Sequence, residues 1–169
     1  MTEVYLVRHA IAEERDAGRW PDDSLRPLTA EGAERFRRAA RGLGKLVPTV
    51  GRVLSSPYAR AWQTAEILTH EVDWPAPEAA DELAAIRPAR DPAQLLRQLA
   101  GPASLALVGH EPQLSSLASL LLAKEDDALH LELKKGGVIA VAYAEPEPGT
   151  ARLRWAATPK LLRTVGAYP

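Results

Sequence analysis

Cysteine is absent from this chain of 169 residues, which excludes disulfides, thiol catalysis and cysteine-ligated zinc. Aromatic residues make up only 5%, and Trp20, Trp62, Trp74 and Trp155 are too scattered to form a stacking platform; they read as core or rim packing. Neither charge sign dominates: 21 Lys+Arg against 22 Asp+Glu leaves a net charge of −1. No global field therefore draws the chain to nucleic acid or an anionic surface, and any anion affinity must be local. No apolar run approaches the ~20 residues of a membrane-spanning helix, and Met1-Thr2-Glu3-Val4 lacks the basic start and apolar stretch of a signal peptide. What is present is ordinary for a globular protein: 46% hydrophobic and 25% charged residues, in a length that suits one core. The expectation is a soluble, cytoplasmic, single-domain protein (residues 1–169) with no nucleic-acid or membrane partner.

Apolar runs alternate with helical patterns along the chain. Val4–Val7 is short and β-branched at both ends, as a buried parallel strand should be. Residues 10–28 are polar and broken by Gly18, Pro21 and Pro27, which predicts a long functional loop. Thr29 caps a helix whose buried face is Phe36, Ala40, Leu43 and Val47. Arg35, Arg37, Arg38 and Arg41 on that helix read as a solvated face, because Glu31–Arg35 and Glu34–Arg38 are i,i+4 pairs. Arg52–Ser55 reads as a second strand, and Ser56-Pro57 as a capping hydroxyl followed by proline at a helix start. A short strand is expected near 77–80, then a loop over the site at 81–92. Pro92 opens a helix that Gly101-Pro102 ends. Leu105–Val108 is a third strand, and Pro112 opens a helix burying Leu114, Leu117, Leu120 and Leu121. The alternation in Ala128–Leu133, then Val138–Tyr143 and Arg152–Ala156, reads as further strands around a Gly136-Gly137 turn. The pattern predicts an α/β protein: a three-layer α/β/α sandwich whose sheet is mostly parallel, with at least one antiparallel strand.

Three of the apolar runs stop abruptly at polar residues: Leu6-Val7 at Arg8-His9, Val53-Leu54 at Ser55-Ser56 with Arg60 one turn on, and Leu107-Val108 at Gly109-His110. In open α/β sheets, ligands bind beyond the carboxyl ends of the strands. Parallel pairing therefore brings two imidazoles and two guanidiniums to one rim. Arginine forks match the oxygens of a phosphoryl group, and Arg60 in a first helical turn adds backbone N–H groups that favour anions. The set makes a phosphoryl cage with a possible nucleophile inside.

Leu6-Val7-Arg8-His9, Arg26-Pro27-Leu28-Thr29-Ala30-Glu31-Gly32, Ser55-Ser56-Pro57-Tyr58-Ala59-Arg60-Ala61-Trp62-Gln63-Thr64-Ala65 and Val108-Gly109-His110-Glu111-Pro112 occur in this order across nearly the whole chain. Together they resemble the signatures of the histidine phosphatase superfamily, which has the phosphoglycerate-mutase-like fold. Ala10 stands where glycine usually follows Arg-His, and the Arg-Pro-Leu-Thr form and short length look most like the SixA-type phosphohistidine phosphatases. The resemblance implies that His9 is the nucleophile and becomes phosphorylated, held by a hydrogen bond from Nδ1 to the backbone. It implies that Arg8 and Arg60 clamp the phosphoryl oxygens, that His110 donates to an equatorial oxygen, and that Arg26 is an additional phosphate ligand. No metal or other cofactor is required by that chemistry.

One departure is informative. Many members carry a catalytic acid in a loop after a leucine, in a Leu-x-Glu arrangement; the corresponding stretch here is Asp81-Glu82-Leu83-Ala84-Ala85-Ile86, and the acid position falls on Ala85. SixA-type members also lack the acid. An alcohol leaving group needs a proton from it, whereas an imidazole, with a pKa near ~6.5, departs easily. The leading expectation is thus dephosphorylation of phosphohistidine on a partner protein. The alternatives are hydrolysis of a small phosphate ester, with Asp81, Glu82 or Glu111 as acid, and a phosphate-binding module without turnover. The compact loops predict a shallow, open pocket. Glu13, Glu14, Arg15, Asp16 and Arg19 read as solvated charges, with contact to substrate as the lesser alternative, Gln63 and Thr64 as ties between helix and loop, and His70 and His130 as structural or exposed. Arg26 could equally pair with Asp22 or Asp23.

Overall fold

A computed structural model describes residues 1–99 and 103–168. The predicted end of a helix at Gly101-Pro102 lies outside the described residues. Six strands form one sheet: β1 (Thr2–Arg8), β2 (Arg52–Ser55), β3 (Glu78–Ala79), β4 (Ser104–Gly109), β5 (Val138–Tyr143) and β6 (Arg152–Ala157). Their spatial order is β3-β2-β4-β1-β5-β6. The first four run parallel, while β5 is antiparallel to both of its neighbours. The helices are α1 (Ala30–Leu46), α2 (Ala59–Val72), α3 (Arg90–Gln98), α4 (Gln113–Ala123) and α5 (Pro159–Ala167).

The central strands are apolar throughout because both faces are covered. Tyr5 and Val7 of β1 face a core that contains Phe36 and Leu43 of α1, Leu68 of α2 and Leu162 of α5. Val4 and Leu6 face the opposite core, with Leu96 of α3 and Leu114 and Leu117 of α4. This alternation makes the three layers that the sequence pattern predicts, and each fully buried leucine contributes roughly 1.5–3 kcal/mol. Among the described residues, no helix is long and apolar enough to cross a membrane.

Thr29 caps α1 as expected, its hydroxyl accepting from the Gly32 N–H. Three expectations are corrected. Ser56-Pro57 does not start a helix: α2 begins at Ala59, and the Ser56 hydroxyl accepts from the Tyr58 N–H at 3.2 Å instead. Residues 128–133 form no strand: β1 has β4 on one side and β5 on the other, and the segment joins neither free edge of the sheet, β3 or β6. Its one fully buried side chain is Leu133. Finally, α3 starts at Arg90, two residues before Pro92, and α5 was not anticipated.

Candidate active site

Register places the candidate residues level with one another. Arg8 aligns with Gly109 of β4, and Val108 aligns with Ser55 of β2. The ladders continue one step further, with His9 N–H donating to the Gly109 carbonyl (3.0 Å) and Ser56 N–H to that of Val108 (2.9 Å). His9, His110 and Ser56 therefore leave the sheet side by side at its carboxyl rim. The rings of His9 and His110 lie 5.2 Å apart, centroid to centroid.

These side chains line one cavity of about 390 Å³, shared by Arg8, His9, Arg26, Arg60 and His110. Only 7% of His9 and 2% of His110 and Arg60 reach solvent. The floor is thus deeper than the expected shallow pocket. The cause is the 10–28 segment, which folds back through an Ala12–Leu28 bridge and Arg26, whose Nη1 donates to the Glu13 carbonyl at 2.6 Å. Gln63 and Thr64 fasten this segment to α2: the Gln63 side chain accepts from Leu28 N–H, and the Thr64 hydroxyl from Ala10 N–H.

Each functional group is held by a specific partner. His9 Nδ1 lies 2.7 Å from the Ala10 carbonyl, so Nδ1 carries the proton and Nε2 keeps its lone pair. Burial pushes the His9 pKa down to about 3; the Ala10 hydrogen bond opposes this, and the charges of Arg60, Arg8 and Lys135 add to it. His110 is depressed to about 2 by burial, then by His9 and Arg60. Both rings are therefore neutral at physiological pH. Arg60 donates from Nη1 to the Asp23 carbonyl (2.9 Å), and its Nη2 lies 3.1 Å from the Asp23 carboxylate. Arg8 donates from Nη1 to the Leu133 carbonyl at 2.8 Å. The buried Nε of each arginine, and Nδ1 of His110, have no partner in the protein. Buried donors left unpaired cost about 1–3 kcal/mol each, which is tolerated where they serve a ligand.

Arg26 does both things the sequence left open: it lines the cavity and pairs with Asp23, Nε to Oδ1 at 2.8 Å. Ala85 also lines the cavity, where it offers no acid. Of the three carboxylates considered as substitutes, Glu111 reaches the cavity and Asp81 and Glu82 do not. Glu111 is engaged with the first turn of α4, accepting from Ser115 N–H at 2.9 Å.

Sequence reasoning missed several participants. Asp23, weighed only as a partner of Arg26, orients Arg60 as well, and nothing in its spacing signals that. Ser56, read as a cap, sits 2.8 Å from His110 Nε2. Lys135 reaches the cavity because the turn before β5 packs on the end of β1, Gly136 N–H donating to the Arg8 and His9 carbonyls. Glu13, Glu14 and Arg15, read as solvated, line the wall. Gln113 holds the loop that carries Ala85, its side-chain NH2 donating to the Glu82 and Arg87 carbonyls. His70 and His130 lie outside the cavity. Among the described residues, no group of three or more His, Asp or Glu side chains is placed to hold a metal ion.

The model of the histidine phosphatase superfamily (branch 1) matches residues 4–87. An uncharacterised protein of Picosynechococcus sp. is 37% identical over 157 residues, covering 90% of this chain and 88% of that protein. The phosphohistidine phosphatase SixA of Escherichia coli K12 is 28% identical over 170 residues, covering 98% of this chain and 99% of its own. The structure of the protein histidine phosphatase SixA complexed with tungstate superposes with a TM-score of 0.82 at 26% identity, covering 94% of this chain and 98% of that one.

Proposed function

The chain belongs to the histidine phosphatase superfamily and is SixA-like, and on that footing we propose that it is a cytoplasmic, single-domain, metal-independent phosphatase that removes the phosphoryl group from phosphohistidine on a partner protein. The observation that carries this reading is the cavity in which His9, Arg8, Arg60 and His110 converge while the position of the usual acid is Ala85. That the similar SixA was solved in complex with tungstate, a tetrahedral oxyanion like phosphate, supports an oxyanion as the ligand class.

His9 Nε2 attacks phosphorus; the P–Nε2 bond forms as the bond to the substrate's imidazole nitrogen breaks. The ring of the substrate, with a pKa near ~6.5, takes a proton from water on its other nitrogen and leaves as neutral imidazole, so no enzyme acid is needed. The proton that His9 shares with the Ala10 carbonyl stays on Nδ1 throughout. It leaves phospho-His9 as a cationic adduct, itself a good leaving group. Water then attacks phosphorus and the P–Nε2 pair returns to His9; one proton of that water stays on phosphate and the other neutralises the hydroxide left in solvent by the first step. Arg8, Arg60 and His110 donate to the equatorial oxygens, and Arg26 adds a fixed positive charge beside them. A phosphoryl group carried on an extended imidazole arm can reach the buried floor.

A substrate panel tests this. A phosphohistidine peptide is expected to exceed sugar phosphates and nucleotides in kcat/KM by ~10²-fold or more, the usual worth of a general acid that esters lack here. Ala85→Glu is expected to raise ester turnover and not phosphohistidine turnover. A wild-type preference for an ester would reject the phosphohistidine reading in favour of a small-molecule phosphatase.

A further inference from the structure

Beside the active-site cavity lies a recess of about 40 Å³ whose lining includes Arg35, Lys135, Arg163 and Ala10, the residue after His9. Lys135 belongs to both the recess and the cavity, so the two adjoin. The three cations come from different elements: Arg35 from α1, Arg163 from α5 and Lys135 from the turn before β5.

The fold goes out of its way to bring them together. Helices α1 and α5 cross where Gly42 meets Gly166; a Cβ on Gly42 would fall 1.8 Å from the Leu162 carbonyl oxygen. Arg163 is three residues from Gly166, and Arg35 and Arg38 are seven and four from Gly42, so helical spacing puts them on the contacting faces. The neighbouring arginines of α1 are neutralised: Arg37 and Arg41 both turn to Glu71, at 3.8 and 2.9 Å. Of the three at the recess, only Arg35 has an acidic partner among the described residues. Arg35 has Glu31 at 3.6 Å, a carboxylate 81% exposed, and Arg163 and Lys135 make no ion pair among the described residues. Burial and the like charges of Arg35 and Arg38 push the Arg163 pKa down. A chain with a net charge of −1 thus places two cations without an ion pair, Arg163 and Lys135, beside Arg35 and next to the residue that follows His9.

We propose that Arg35, Arg163 and Lys135 form a docking shelf for acidic side chains that flank the phosphohistidine of a protein substrate. The inference rests on the phosphohistidine reading of the cavity. Carboxylates placed there relieve the repulsion among the three cations, so the shelf selects among phosphoproteins by what surrounds the modified residue.

Two synthetic phosphohistidine peptides, one with glutamates beside the phosphohistidine and one with glutamines, provide the test with the full chain. At low ionic strength the acidic peptide is expected to show a KM about three- to tenfold lower, with kcat little changed, the yield of two or three partly exposed charge pairs. High salt is expected to erase the difference. Arg163→Glu and Arg163→Gln are each expected to abolish or invert it while leaving phosphoramidate hydrolysis unchanged. An unphosphorylated acidic peptide is expected to inhibit in an Arg163-dependent way, more strongly than an oligonucleotide of equal charge; the reverse order would overturn the assignment to a protein segment. Equal kcat/KM for the two peptides, or a preference that survives both substitutions, would overturn the shelf and leave the phosphohistidine reading standing. Failure to cleave either peptide, with esters still hydrolysed, would overturn both.

Discussion

Water hardly reaches the two imidazoles on which the chemistry turns, and that has a consequence for stability as well as for reactivity. His9 and His110 are depressed to about 3 and about 2, against ~6.5 in an unfolded chain. Between those limits the unfolded state binds protons that the folded state refuses, so stability rises with pH across the window and is lost as pH falls through it. Thermal melting is therefore expected to move to lower temperature as pH drops from 7 toward 4, and His9→Asn is expected to flatten part of that slope. A His9→Asn variant whose melting temperature falls with pH as steeply as the parent's would show that burial of a neutral His9 is not linked to folding. The same depression keeps His9 Nε2 unprotonated, while the Ala10 carbonyl fixes which nitrogen keeps its lone pair.

Helix α5 illustrates how an element can be cued locally and still be missed. Thr158 caps it, accepting from Leu161 N–H, and Pro159 opens it, yet Leu162 is its one fully buried side chain, too little for an apolar stripe to stand out. Ser56-Pro57 carries the same hydroxyl-proline cue, yet α2 begins only at Ala59, and the Ser56 hydroxyl lies between the Tyr58 N–H and His110. The strand ends were legible, since an apolar run that halts at Arg8-His9 or Gly109-His110 is a purely local signal. The Asp23–Arg60 pair and Lys135 were not, because long-range loop packing delivers them. The close crossing of α1 and α5 depends on Gly42. Gly42→Ala forces Cβ into the Leu162 carbonyl and is expected to cost about 1–3 kcal/mol, read as a lower urea midpoint at unchanged m. A neutral or stabilising effect would mean that the crossing relaxes without cost.

The whole molecule is arranged so that one rim of one sheet carries the reactive groups. The order β3-β2-β4-β1-β5-β6 sets the carboxyl ends of β1 and β4 next to each other, with β2 beyond, and the antiparallel β5 brings the Lys135 turn back over that rim. Residues far apart in sequence thus line one cavity, inside a protein whose charges otherwise nearly cancel. Everything proposed for its chemistry requires that the phosphoryl group pass through His9. Brief exposure to a radiolabelled phosphohistidine peptide, followed by an alkaline denaturing quench and peptide mapping, measures that step. The label is expected on the peptide containing His9, stable to alkali and labile to acid, and absent from His9→Ala together with turnover; label on another residue, or hydrolysis that persists in His9→Ala, would contradict it.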